Sequence, residues 1–222
     1  MSSEPIIISI DGFASTGKST LAKKISNYLE YNYVDTGSIY RAITLFSINN
    51  NLFEFDSIKL NLLKYALKES SFVLNNKLNK LYFNNNELGE EIRSHRVSEK
   101  VSIIAKISFV RSFVLNQLRS LNIKKGLVIE GRDIGSVVFP NANYKFFFRA
   151  SINTRVDRRW NEMNKKNMKV SREKIKENIL LRDKVDKNRK ISPLIVPKDS
   201  IEIDTSNLSI EEVFNKITKY LK

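Results

Sequence analysis

The chain of 222 residues contains no cysteine and a single histidine. The first absence excludes disulfide frameworks, cysteine zinc sites and thiol nucleophiles, and the second excludes His-rich metal clusters. No apolar run approaches the roughly 18 residues of a membrane span. Met1 to Pro5 carries an acid and no basic region ahead of a short apolar run, unlike a secretory signal. The expectation is therefore a soluble, cytoplasmic protein with no membrane partner. No internal repeat is visible, and the asparagine clusters at 75–79 and 84–86 read as turns, not as a low-complexity tail. Hydrophobic residues at 41% and charged residues at 28% sit near globular averages, so a buried core is within reach and wholesale disorder is not expected.

What the chain does have is positive charge. Lys+Arg of 38 against Asp+Glu of 24 gives a formal net charge of +14, a field that favours polyanions such as nucleic acid, anionic membrane or nucleotide phosphates. The 25 lysines and 24 asparagines fit a compositional background at solvent-facing positions. The 13 arginines say more, because in a lysine-favouring chain an arginine in a phosphate-binding context is a choice.

Ile6 to Ile10 is a β-branched run too short for a helix and bounded by Asp11-Gly12, which predicts a buried parallel strand ending at a turn. Gly12-Phe13-Ala14-Ser15-Thr16-Gly17-Lys18-Ser19 then fits G-x-x-x-x-G-K-[ST], and from Thr20 the apolar spacing at Leu21, Ile25 and Leu29 predicts a helix. Strand, glycine loop and helix stand in the order a triphosphate site needs. Glycines let backbone amides converge on the phosphates, the helix N-terminus adds partial positive charge, Lys18 reaches the outer phosphates and the Ser19 hydroxyl takes Mg²⁺. Gly12 to Thr20 are the candidate ATP-binding residues.

Downstream, Tyr33 to Asp35 reads as a short strand, Ser38 to Asn50 and Ile58 to Leu67 as helices, and Phe72 to Leu74 with Leu81 to Phe83 as an antiparallel insertion with asparagine turns. Helices are expected over Ser94 to Ile107 and Ser108 to Leu121. Strands follow at Leu127 to Ile129, Tyr144 to Phe148 and Ile201 to Ile203, with helices capped by Ser151, Ser171 (through about Asn188) and the Ser209/Glu212 capping box. Strands separated by helices predict an α/β fold with a central parallel sheet.

Four further blocks narrow the function. They are Asp35-Thr36-Gly37-Ser38-Ile39-Tyr40-Arg41; Glu130-Gly131-Arg132-Asp133 through Pro140-Asn141-Ala142; Arg155-Val156-Asp157-Arg158-Arg159; and Arg182-Asp183-Lys184-Val185-Asp186-Lys187-Asn188-Arg189 with Ser192-Pro193-Leu194. In order and spacing, and together with the glycine loop, they resemble the bacterial cytidylate kinases over essentially the whole chain. The resemblance implies a P-loop NTPase three-layer fold with a core at about 1–37, 122–154 and 190–222. An inserted monophosphate-binding lobe, holding the small antiparallel sheet, would occupy about 38–121, and a mobile lid about 155–189. It also implies a monomer acting on ATP, CMP and dCMP, with Mg²⁺, by direct in-line transfer.

Within that resemblance, Arg41 and Arg132 look like the clamp on the acceptor's α-phosphate, and Thr36 keeps a hydroxyl where serine is frequent. Ser102, Arg111 and Asp133 resemble the cytosine readers: Asp133 can accept from the exocyclic amine, while Arg111 and Ser102 can donate to the ring carbonyl and nitrogen. Arg155, Arg158 and Arg159 sit at the mouth of the polar stretch Asn161 to Lys169 and match lid arginines that would neutralise the transferring phosphoryl group. Arg182, Asp186 and Arg189 are spaced i, i+4, i+7 and would share one helix face, either as an intrahelical ion-pair ladder or, as the resemblance implies, with Asp186 on the ribose hydroxyls, Arg182 orienting it and Arg189 near the phosphates. Glu130 is either an outer partner of Mg²⁺ or a simple strand-end carboxylate. Lys18, Arg132, Arg155 and Arg159 form the expected catalytic set. His95 lies outside every motif and is assigned no role. Two rivals remain open. One is another P-loop monophosphate kinase, for UMP, AMP or dTMP; the other is a nucleic-acid-binding NTPase, for which the sequence shows no RNA-binding signature, so no specific nucleic acid is expected.

Overall fold

The computed structural model describes residues 5–55, 57–165, 168 and 170–221. In chain order the elements are β1 (Ile7–Gly12), α1 (Lys18–Leu29), β2 (Asn32–Asp35), α2 (Thr36–Asn49), β3 (Phe53–Glu54), β4 (Ser57–Ile58), α3 (Leu60–Lys68), β5 (Phe72–Asn75), β6 (Lys80–Phe83), β7 (Asn86–Glu87), α4 (His95–Lys106), α5 (Ser108–Arg119), β8 (Leu127–Gly131), β9 (Tyr144–Arg149), α6 (Ile152–Lys165), α7 (Arg172–Lys187), β10 (Ile201–Asp204) and α8 (Ile210–Thr218). A 3₁₀ turn at Glu90–Arg93 and a single π-helical turn at Ile134–Val138 complete the set. The chain divides into two compact units, Asn32–Gly126 and Ile6–Tyr31 with Leu127–Lys222.

The second unit carries the parallel strands in the order β10-β9-β1-β8. β1 lies between two neighbours, and that is why its sequence reads as continuous Ile-Ile-Ser-Ile without alternation: Ile8 and Ile10 are wholly buried, as are Val128 and Ile129 beside them. On the other side β9 contributes Phe146, Phe147 and Phe148, all buried. Its register sets Gly12 opposite Phe148. A Cβ on Gly12 would stand 2.3 Å from the Phe148 carbonyl oxygen, so only glycine can leave the strand at this point. α6 and α7 pack on each other around Val156, Ile175 and Ile179, with Trp160 and Met163 alongside. Ser171 caps α7 by accepting from the Lys174 amide, and Ser209 with Glu212 forms the expected capping box of α8.

The other unit is built from α2–α5 and the antiparallel β5-β6-β7 sheet. Phe72 pairs with Phe83 across β5 and β6, their rings stacked at 4.5 Å, and Phe46 meets Phe83 edge-on at 5.6 Å. The asparagine clusters are turns in fact: Asn79, Asn84 and Asn85 hold φ values of 52°, 48° and 66°, left-handed backbone that asparagine tolerates better than most residues. Among the described residues no single helix is long and apolar enough to cross a membrane, and α4 and α5, apolar enough together, meet at a 94° bend.

Three expectations change. Ile58 does not open a helix but pairs with Phe53 in a two-residue hairpin, and α3 begins at Leu60. α7 ends at Lys187, so Arg189 lies beyond it and the i, i+7 spacing from Arg182 is not a helical one. The polar stretch Asn161 to Lys169, expected to follow the helix capped by Ser151, is itself helical through Lys165, while residues 166, 167 and 169 lie outside the described residues.

Candidate active site

The loop between β1 and α1 is held by its own backbone and by its neighbours. Gly17 is the N-cap of α1 in the left-handed region, φ 92°, and Ser15 has φ 60°. The Thr16 hydroxyl donates to the Phe13 carbonyl at 3.0 Å, and the Thr16 carbonyl in turn accepts from Thr205 Oγ1 at 3.0 Å and Arg158 Nη1 at 3.2 Å. Lys18 folds back so that Nζ donates to the Phe13 carbonyl at 2.6 Å. Burial, aided by the Arg132 charge, pulls its pKa down to about 7 against the opposing pull of Glu130, Asp11 and Asp186. Ser19 and Thr20, next along α1, are exposed.

A second charged cluster gathers around Arg132 at the end of β8. Arg132, directly after β8, donates from Nε to Asp186 Oδ2 at 2.9 Å and from Nη1 to the Gly131 carbonyl at 3.2 Å. Burial opposes its charge, but Asp186 more than compensates and holds the guanidinium pKa above its ordinary value. The reciprocal holds for Asp186: burial pushes up, Arg132 and Arg189 push down, and the net is a carboxyl below the usual range. Arg189 Nη1 lies 3.6 Å from Asp186 Oδ1. Asp186 thus sits between Arg132 and Arg189, with Arg182 acting on it through space, an arrangement that differs from the ladder along one helix face. Glu130 and Asp133 are both buried.

The three candidate lid arginines do different things. Arg155, buried at 5% exposure, donates from Nε to the Ala14 carbonyl at 2.7 Å, pairs through Nη2 with Asp183 at 2.6 Å, and lies 5.3 Å from the centre of the Phe13 ring. It stands against the phosphate loop. Arg158 reaches Thr16, both polar oxygens of Thr205 and the Leu208 carbonyl, bracing the loop's backbone. Arg159, partly exposed, pairs with Glu162 at 2.7 Å.

In the unit at Asn32–Gly126, Arg41 on α2 donates to Ser98 Oγ at 3.0 Å and to the Ile92 carbonyl at 3.3 Å. Arg111 on α5 is buried, donates to the Ala105 carbonyl at 3.4 Å and lies 5.6 Å from the Tyr40 ring centre. Thr36, at the start of α2, is buried, and Ser102 on α4 is exposed. His95 is exposed and meets Glu99 at 3.4 Å.

Several residues were not read from sequence. Asp183 neutralises Arg155, Thr205 ties β10 to the loop, Ser98 seats Arg41, and Asp11, on β1, accepts from the Ile134 and Gly135 amides at 2.8 and 2.7 Å. Only Asp11 left a signal, an acid inside an otherwise apolar strand just before the glycine loop. Asp183 and Thr205 contact groups dozens of residues away, so nothing local marks them.

A parallel-stranded core whose central strand opens into a glycine loop, with a buried lysine beneath it and arginines at the neighbouring strand end, defines a P-loop nucleotide-dependent phosphotransferase. Comparison with known proteins makes this particular. The sequence model of the cytidylate kinase family matches residues 8–222. The chain is 44% identical to the cytidylate kinase of Flavobacterium johnsoniae, covering 94% of this chain and 93% of that one. It is 42% identical to that of Clostridium tetani (98% and 94% covered) and 40% identical to that of Fusobacterium nucleatum (98% and 97%). This chain belongs to the cytidylate kinase family. Among solved structures, an uncharacterized protein of Eubacterium ventriosum shares the fold at a TM-score of 0.50 and 16% identity, with 98% of each chain covered.

Proposed function

We propose that the protein transfers the γ-phosphoryl group of ATP to CMP and dCMP, giving CDP and dCDP in pyrimidine nucleotide metabolism. It would act as a cytoplasmic monomer with no nucleic-acid partner, as the family resemblance implies. One observation carries the reading beyond membership of the family: the buried Lys18 on the donor side and the partly buried Arg132 on the acceptor side lie within each other's electrostatic reach, with Glu130 and Asp186 as counter-charges. Two cations kept apart by carboxylates suit a reaction that brings two sets of phosphates together. The acceptor phosphate is already an anion and needs little base catalysis, so positioning and charge neutralisation supply the acceleration.

Each residue then has a task. Gly12 to Thr20 cradle the ATP phosphates, and Lys18 moves from the Phe13 carbonyl onto them. Arg41 and Arg132 hold the α-phosphate of CMP beside Thr36; Asp133, Arg111 and Ser102 read cytosine; Arg182, Asp186 and Arg189 serve ribose and phosphate. Arg155 and Arg159 neutralise the phosphoryl group in flight, and Arg158 serves ATP by fixing Thr16. Residues 155–189, with most of α6 and all of α7, are the proposed lid, and 38–121 the monophosphate lobe. Mg²⁺ fits this donor set as a companion of ATP: the described residues offer no group of three or more His, Asp or Glu that could hold an ion, but an exposed Ser19 hydroxyl and the buried Glu130 stand by the phosphate loop. Ser19 would ligate it and Glu130 orient it, the ion supplying charge on the phosphate oxygens.

The test is a coupled ADP-release assay with ATP and CMP, dCMP, UMP, AMP and dTMP in turn. CMP and dCMP must lead in kcat/KM; a preference for another monophosphate, or turnover needing nucleic acid, would replace this reading. Asp186→Ala should penalise CMP more than dCMP, because only CMP offers the 2′-hydroxyl.

A further inference from the structure

A buried carboxylate that meets no substrate calls for a reason, because taking its charge out of water is costly. Asp11 is 0% exposed on β1, and burial raises its pKa to about 6 even though two backbone amides pull the other way. The register places it: β1 pairs with β8 so that Asp11 stands opposite Gly131, the residue before Arg132. Its two oxygens are divided between two amides. Oδ1 accepts from Ile134 at 2.8 Å and Oδ2 from Gly135 at 2.7 Å.

Those amides open the π-helical turn Ile134–Val138, and they have no carbonyl within the turn to serve. The peptide joining Asp133 to Ile134 is therefore gripped on both sides: its N–H by Asp11, and its carbonyl by the amides of Val137 and Val138 at 2.9 and 3.1 Å. Fixing that peptide fixes the backbone of Asp133, which stands at φ −143° and ψ 26°, between the extended and helical regions. Isolated π turns occur mostly where function needs an odd geometry.

We infer that Asp11 is the positioning residue of the acceptor-reading turn: by capping Ile134 and Gly135 it aims the Asp133 carboxylate at the cytosine amine and so sets the preference for CMP over UMP. The inference rests on the proposed role of Asp133. Asp11 itself is 0% exposed, and each of its oxygens accepts from a backbone amide, so it acts through the turn. Asparagine at this position could accept only one of the two amides and would turn an NH₂ toward the other.

A second handle reaches the same turn without touching the acid. A Cβ on Gly135 would lie 2.9 Å from Ser9 Oγ, 3.2 Å from Pro197 Cγ and 3.3 Å from Asp11 Oδ2, so Gly135→Ala must shift the turn, and Ser9→Ala removes the nearest obstacle.

The experiment measures kcat/KM for CMP and UMP, and KM for ATP, in wild type, Asp11→Asn, Gly135→Ala, Ser9→Ala/Gly135→Ala and Asp133→Ala. Loss of one well-made hydrogen bond at a charged acceptor predicts a CMP/UMP ratio lower by about tenfold in Asp11→Asn, with KM for ATP unchanged within about twofold. Gly135→Ala should lower the ratio several-fold, and the double variant should recover it in part. That recovery carries the test if Asp11→Asn does not fold. An unchanged ratio in both Asp11→Asn and Gly135→Ala, while Asp133→Ala lowers it, overturns the inference and leaves the base-reading role of Asp133 standing. A raised KM for ATP with an unchanged ratio also overturns it, making Asp11 a tuner of Lys18. An unchanged ratio in Asp133→Ala removes the base reader, and the inference falls with it.

Discussion

Where the phosphate-loop unit buries Asp11, Lys18, Glu130, Asp133, Arg155 and Asp183, the unit at Asn32–Gly126 buries one charged side chain among its described residues, Arg111, and otherwise serine, threonine and asparagine. Burying an ion costs several kcal/mol even after relaxation, and its partners often no more than offset this. One half of the molecule accepts that cost repeatedly. The other half is assembled from aromatic stacking, neutral polar side chains and asparagine turns. Chemistry and cohesion are thus unequally shared. In the first half a buried cation such as Lys18, which among the described residues pairs with no carboxylate at contact distance, should be dispensable for stability and essential for turnover; in the second, losses of stability and of activity should travel together.

Lys18→Ala is the strongest way to break this comparison. The variant should lose phosphoryl transfer by about a thousandfold, the scale seen when a preorganised charge is removed from a developing anion. Its Tm should hold or rise, because the ammonium is driven toward neutrality by its own burial in the unliganded protein. Calorimetry beside the kinetic assay decides; if stability falls with activity, Lys18 is a structural cation and the contrast fails. The converse is Phe83→Ala. Removing a ring that is 7% exposed, stacked on Phe72 and edge-on to Phe46, should cost about 3 kcal/mol in urea unfolding. Activity should fall only as far as the folded fraction does.

A third prediction uses protons. With burial and then Arg132 holding Lys18 near a pKa of about 7, the free protein carries it largely neutral above that pH, whereas bound phosphates require the ammonium. The sign follows: the group takes up a proton on binding, so ATP affinity falls as pH rises above about 7, by up to roughly tenfold per unit, and Lys18 adds no linkage well below it. Titration calorimetry at pH 8 in buffers of different ionisation enthalpy should show uptake approaching one proton. Lys18→Arg, charged throughout, should abolish that uptake; its persistence would assign the proton to another group.

What could be read from sequence followed from how local each signal is. The glycine loop, the caps at Ser171 and Ser209 and the asparagine turns are written in residues a few positions apart, and each lies where expected. Asp11 and Ile134 are separated by 123 positions and meet only because β1 and β8 are neighbours in register, so no spacing rule could join them. Arg189 was misplaced for the opposite reason. Helical spacing continues past Lys187 on paper, but the chain turns at Asn188 and the Asp186 carbonyl accepts from Leu194 instead, at 2.8 Å. The two-residue hairpin that claims Ile58 is too short for alternation to announce.

The smallest expected effect tests whether the lobe shares any of the charge-handling seen in its neighbour. Arg41 and Ser98 lie on different helices, α2 and α4, and their 3.0 Å hydrogen bond, with the Ile92 carbonyl at 3.3 Å, directs a long side chain. An arginine proposed to hold a phosphate gains from such direction, because rotamer entropy lost before binding need not be lost on binding. Ser98→Ala removes the acceptor but not the charge, and Ala is the better helix former, so stability should change little. KM for CMP should rise about threefold to tenfold, since a hydrogen bond to a charged donor that is replaced in part by water retains some of its value. KM for ATP should stay put, and Ser98→Thr, which keeps the hydroxyl, should restore most of the affinity. A rise in both Michaelis constants would mean that the change loosens the packing of α2 on α4. No rise in either would mean that Arg41 does not depend on the Ser98 hydroxyl for its position, and the contrast between the two units would sharpen.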